Sequence, residues 1–133
     1  MADDVRILPT EWVGTSTEVS WGLVFGGNHP KFETHGHLDP AVHTQTTDAG
    51  FRIVAQEGRV VELRIVGNFV GEIPAVGLLS ADATQLEISG PMGHASYVIN
   101  GNTMVGHTHY RLHGTQSAGE EYGVGMMELT AKA

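Results

Sequence analysis

Eight histidines stand in this chain of 133 residues, and their spacing is uneven. His107, His109 and His113 alternate with their neighbours in a run that also carries Arg111 at the same parity, and His94 lies a short way upstream. Imidazole moves protons near neutral pH and also ligates zinc, copper, iron and nickel. Two chemistries are therefore open. His94, His107 and His109 could converge on one metal ion and leave a fourth position for water. Without a metal, the same histidines could act as acid and base while Arg111 stabilises an enolate or oxyanion. A second cluster, Glu33, His35 and His37, offers a carboxylate and two imidazoles, a ligand set suited to zinc or iron. Turn-forming residues at Asn28-His29-Pro30 and Leu38-Asp39-Pro40 bracket it, so a plain polar loop is the competing reading.

The element that must position the first cluster is a hairpin. Asn100-Gly101 is the strongest short-range hairpin signal in the chain, and it predicts a type I′ turn. That turn pairs Ile99 with Asn102, Tyr97 with Met104, Ala95 with Gly106 and His94 with His107. His94, His107, His109, Arg111 and His113 then share one face. In ligand type and strand layout alone, three such histidines resemble the zinc site of the α-carbonic anhydrases; nothing else in the chain matches that much larger family. The other face carries Ala95, Tyr97, Ile99, Met104, Gly106, Thr108, Tyr110 and Leu112, and is the better core. Tyr97 and Tyr110 are candidate ligand donors there, with His113 and Trp21 as further ligand contacts. Tyrosines and histidines cannot enter the same lumen unless a bulge intervenes. The histidine face thus has three readings: a solvated or subunit-contacting surface, a metal-free catalytic cavity, or a metal site.

Other strands follow from alternation. Val19, Trp21, Leu23 and Phe25 form one apolar face. Phe51, Ile53 and Ala55 form another, and Val61, Leu63 and Ile65 a third. A three-residue loop, Gln56-Glu57-Gly58, places Ile53 opposite Val61 and Phe51 opposite Leu63, with Gly58 in the left-handed conformation such loops need. A last strand is expected over 122–132. Trp12, Trp21, Phe25 and Phe51 read as core, and Met126-Met127 as packing. A short turn near Leu78 to Asp82 is the one helical candidate. The 18 glycines fall between short apolar stretches. These features predict a single all-β domain over 1–133, a small antiparallel barrel of roughly 7–10 strands, with a β-sandwich as the alternative.

Composition narrows the function. There is no cysteine, which removes disulfides, thiolate metal sites and a cysteine nucleophile. A formal net charge of −8 with only seven Lys and Arg argues against nucleic acid and anionic membrane as partners. No secretory signal or long apolar span is seen, so a cytoplasmic location is expected. A Gly-x-Trp start, the cupin histidine and glutamate spacing, a phosphate loop and a nucleophile elbow are each missing. The expectation is a small-barrel enzyme of isomerase, cyclase or lyase type acting on an apolar small molecule. No cofactor is required, zinc or another divalent transition metal is the optional addition, and a homo-oligomer is foreseen. A non-catalytic barrel that binds a small ligand or metal is the alternative.

Overall fold

The computed structural model describes residues 5–21, 33–34, 42–67, 71–91, 93–112 and 121–132. Its strands are β1 (Glu11–Trp21), β2 (Glu33–Thr34), β3 (Val42–Glu57), β4 (Val60–Gly67), β5 (Gly71–Leu79), β6 (Gln85–Gly90), β7 (Gly93–Asn100), β8 (Thr103–Leu112) and β9 (Glu121–Ala131). Among the described residues there is no helix, and the Leu78–Asp82 segment ends β5 and enters a turn. Each strand from β3 to β9 pairs antiparallel with the next, and β1 pairs with both β9 and β3. That double pairing closes eight antiparallel strands into a barrel and leaves two-residue β2 on the edge of β3. Closure removes the exposed edges that a sandwich would keep.

Two glycines fix the hairpins, each one step from where local rules place the turn. Gly58 is left-handed at φ 58°, as expected, but it opens a two-residue loop, Gly58-Arg59, between Glu57 and Val60. Ile53 consequently faces Leu63 and Phe51 faces Ile65. A bulge between Ile53 and Ala55 absorbs the change in register, turns Ala55 outward and brings Gln56 partly in. Gly101 has φ 62° and is the first residue of a Gly101-Asn102 loop, because Asn100 itself pairs with Thr103. A glycine with positive φ at the first central position suits a type II′ turn. His94 therefore faces His109, not His107, and His107 faces Ser96. Both slips are even in number, so the hairpin side chains keep their predicted faces except at the bulge, where Ala55 leaves the apolar face.

The interior is layered. At the floor, Trp12 is fully buried and stacks on Phe51 with ring centroids 6.4 Å apart. Its indole donates to the Pro9 carbonyl at 2.7 Å. The N-terminal segment closes this end: Leu8 is buried, and its amide donates to Gln56 Oε1 at 3.0 Å. Above lie Ile99, Met104, Leu129, Gly14 and Ala49, one from each of five neighbouring strands. Next come Tyr97, Gly106, Met127, Ser16 and Thr47, and then Ala95, Thr108, Gly125, Glu18 and Gln45. Tyr110, Gly123 and Ser20 share the layer nearest the mouth. The lumen therefore changes from apolar to polar along its axis. Among the described residues, Ser16, Ser20, Gln45 and Thr47 are its buried polar ones.

Candidate functional site

β1 delivers the central group. Its inward positions read Trp12, Gly14, Ser16, Glu18 and Ser20, a run that starts apolar and becomes polar toward the mouth. Glu18 reaches into the lumen and is held at both oxygens. Ser16 Oγ donates to Oε2 at 2.9 Å, and Gln45 Nε2 donates to Oε1 at 2.8 Å. A carboxylate only accepts, so it dictates which end of the Gln45 amide faces it. The amide's other end, Oε1, is buried and finds no hydrogen-bond donor among the described residues.

Glycines on the inner face of β9 make the room. A Cβ on Gly125 would lie 2.9 Å from both Glu18 Cγ and Ser16 Oγ. A Cβ on Gly123 would lie 2.6 Å from the Tyr110 hydroxyl. On β8, Gly106 does the same for Tyr97, whose Cδ1 would be 2.8 Å from an added Cβ. Glu18, Tyr97 and Tyr110 all border one cavity of about 180 Å³ that Phe51, Ile88 and Met127 also line. Its size resembles the roughly 150 Å³ apolar cavity that accepts benzene in an engineered protein.

Tyr97 forms the deeper wall. Its ring is buried beside Phe51 at 5.8 Å, and its hydroxyl donates to Met127 Sδ at 3.2 Å. Thioether sulfur is a weak acceptor. Burial pushes the phenol's pKa well above its ordinary value, so Tyr97 remains a neutral donor. A better acceptor brought by a ligand could displace the sulfur.

The sequence-derived candidates divide between inside and outside. Tyr97 and Tyr110 face the lumen, which assigns the opposite, outer wall to His94, His107, His109 and Arg111. The three histidines are exposed neighbours, with ring centroids 5.3 Å apart for His94–His109 and 5.5 Å for His107–His109. They do not point into the barrel, so the acid–base set drawn for them inside a lumen is corrected: among the described residues, Glu18 and the two tyrosines are the ionisable groups that face inward. His94 and His109 still border the mouth of the cavity. Among the described residues no three His, Cys, Asp or Glu side chains are arranged to hold a metal ion. Of the second cluster, Glu33 lies in β2, while His35 and His37 fall outside the described residues, as does His113. Trp21 is 40% exposed on the outer wall, so it is not core, and its face of β1 carries Val13 and Val19 outward as well. Met127 packs inside, but Met126 is 72% exposed.

Glu18 was not singled out by the alternation, because Val19 and Trp21 beside it made the wrong face of β1 look like the buried one. A usable signal lay in the partner strand: Gly123 and Gly125 alternate in β9, and side-chain-free positions across a ladder imply bulky or functional groups opposite. No protein-family model, curated protein or solved structure matches this chain. No helix among the described residues is long and apolar enough to cross a membrane.

Proposed function

We propose that the barrel is a small-molecule enzyme of isomerase, cyclase or lyase type, in which Glu18 transfers a proton while a tyrosine stabilises the developing oxygen charge. The observation that carries this reading is one cavity of about 180 Å³ bordered by an oriented carboxylate, Glu18, and two phenols, Tyr97 and Tyr110. Glu18 would take a proton from a carbon next to a carbonyl. The C–H electrons would move into the carbonyl, and the resulting enolate oxygen would accept a hydrogen bond from Tyr97 or Tyr110. Returning the proton to a different carbon gives isomerisation. Tyr97 is suited to this role because, among the described residues, its hydroxyl has only a sulfur acceptor to give up. Tyr110 lies one layer nearer the mouth than Glu18, a step of about 7 Å along the strands. The apolar floor of Phe51 and Met127 favours an uncharged ring or short chain deep in the cavity. This chemistry needs no metal.

The site is tested by titrating cyclohexanone into protein with ¹³C-labelled methionine methyls. Binding in the lumen is expected to move the Met127 methyl signal and leave that of exposed Met126 in place. Gly125→Val, which fills the space beside Glu18, is expected to abolish the shift. A Met127 signal unmoved in the wild type, or moved equally in Gly125→Val, would refute a ligand site in the lumen.

A further inference from the structure

We infer that the outer wall of the barrel binds a soft monovalent metal ion, Cu(I), through His107, His109 and Met126. Register brings the three together. Met126 of β9 lies directly opposite His107 of β8, a pairing that sets Cβ atoms about 4.5–5.5 Å apart. His109 comes two positions after His107 on the same face and lies diagonal to Met126, a separation that long side chains bridge. All three side chains are exposed, Met126 at 72%. Its neighbour Met127 packs in the core, while the Met126 thioether stays on the outside. The site is separate from the lumen and does not depend on the reading given for it.

Distance and ligand type select the ion. With metal–nitrogen bonds of about 2.0–2.1 Å, two imidazoles on one ion keep their ring centres roughly 5–5.5 Å apart. The His107 and His109 ring centres are 5.5 Å apart, so the pair already has the spacing of a chelate. Among the described residues no third imidazole or carboxylate completes a set with them. The third donor is the Met126 sulfur, and a thioether selects Cu(I) over harder divalent ions. Three rotatable bonds let that sulfur swing toward the two rings without moving the strands. An ion indifferent to sulfur would be served as well by His94 and His109, whose ring centres are 5.3 Å apart across the β7–β8 ladder, one strand further from Met126.

The test uses the full chain with ¹³C-labelled methionine methyls and Ag(I), a closed-shell ion that takes the same soft ligands, in chloride-free buffer. The first equivalent of Ag(I) is expected to move the Met126 methyl signal and the ring signals of His107 and His109, and to leave the Met127 methyl in place. Competition with bicinchoninate in the presence of ascorbate then measures the Cu(I) affinity. Met126→Leu is expected to lower it by about tenfold or more, at least the cost of losing a group that merely orients a metal ligand. His107→Ala and His109→Ala are expected to lower it further. Met126→Leu is expected to leave the Zn(II) affinity unchanged, because zinc is held by the imidazoles. These positions lie on the outer wall, so circular dichroism should show the same fold in each variant. A Met126 signal unmoved by Ag(I), equal Cu(I) affinity in wild type and Met126→Leu, or equal losses of Zn(II) and Cu(I) affinity in that variant would overturn the proposal. So would a greater loss of Cu(I) affinity in His94→Ala than in Met126→Leu, which would place the ion between His94 and His109.

Discussion

A carboxylate is tolerated inside a barrel only where donors meet it, and Glu18 has two. Glu18→Gln keeps a carbonyl that can accept from Ser16 or Gln45, so its effect on stability should stay within about 1 kcal/mol in urea unfolding. The same change removes the base, and turnover should fall by about 10²–10⁴-fold. Tyr97 gives a contrasting pair. Its hydroxyl donates to Met127 sulfur, a weak acceptor, so Tyr97→Phe is expected to cost less than about 1 kcal/mol, whereas Tyr97→Ala, which empties a buried ring, should cost about 3–5 kcal/mol. The Tyr97 phenol also ties stability to pH. Its folded pKa is raised, so the folded state keeps a proton that the unfolded chain releases above about pH 10. Its contribution is complete below that pH and declines above it. Alkaline titration should show one of three tyrosines ionising only as the β-sheet circular dichroism signal disappears. Tyr97 and Tyr110 were legible as donors because they alternate with the histidines. Glu18 was not, because a polar residue on a strand reads as solvent-facing until the polar end of the lumen is known.

The strands show which rules are local. Alternation correctly grouped Phe51, Ile53, Val61 and Leu63 as one buried face, and Ala95, Tyr97, Ile99 and Met104 as another. Register was less legible, since the residue that begins a turn depends on which glycine dihedral the loop uses. Gly101 and Gly125 separate backbone freedom from space. Gly101 has φ 62° and nothing within 4 Å of an added Cβ, so Gly101→Ala should cost about 1–2 kcal/mol from the left-handed backbone alone and leave ligand binding intact. Gly125→Ala meets Glu18 Cγ and Ser16 Oγ at 2.9 Å. It should cost a comparable ~1–3 kcal/mol through overpacking, and additionally weaken cyclohexanone binding at Met127. Denaturation midpoints and the methyl titration together distinguish the two. β1 misled because its outer wall is decorated with Val13, Val19 and Trp21, while its inner wall near the mouth is small and polar. A strand that borders a cavity inverts the usual pattern.

At the scale of the whole molecule, the choice between barrel and sandwich was open because closure depends on a pairing that no short segment encodes. β1 and β3 meet along the full length of β1, from Glu11 opposite Arg52 to Trp21 opposite Val42. Native-state hydrogen exchange should therefore find the seam amides of β1 and β3 as protected as those of the β7–β8 hairpin; fast exchange along either seam strand would mean an open sheet. Closure is also what sets the inside against the outside, sending His94, His107 and His109 to the outer wall and gathering Glu18, Tyr97 and Tyr110 around one cavity. The most direct measurement of that constellation needs no natural substrate. Cyclohexanone incubated with the protein in D₂O exchanges its α-hydrogens wherever a base can remove them, and proton NMR follows their loss. Wild-type protein is expected to accelerate this exchange, Glu18→Gln to lower the rate to that of buffer, and Tyr97→Phe or Tyr110→Phe to slow it. Exchange at the same rate in wild type and Glu18→Gln, with cyclohexanone bound in both, would contradict a proton-transfer site at Glu18.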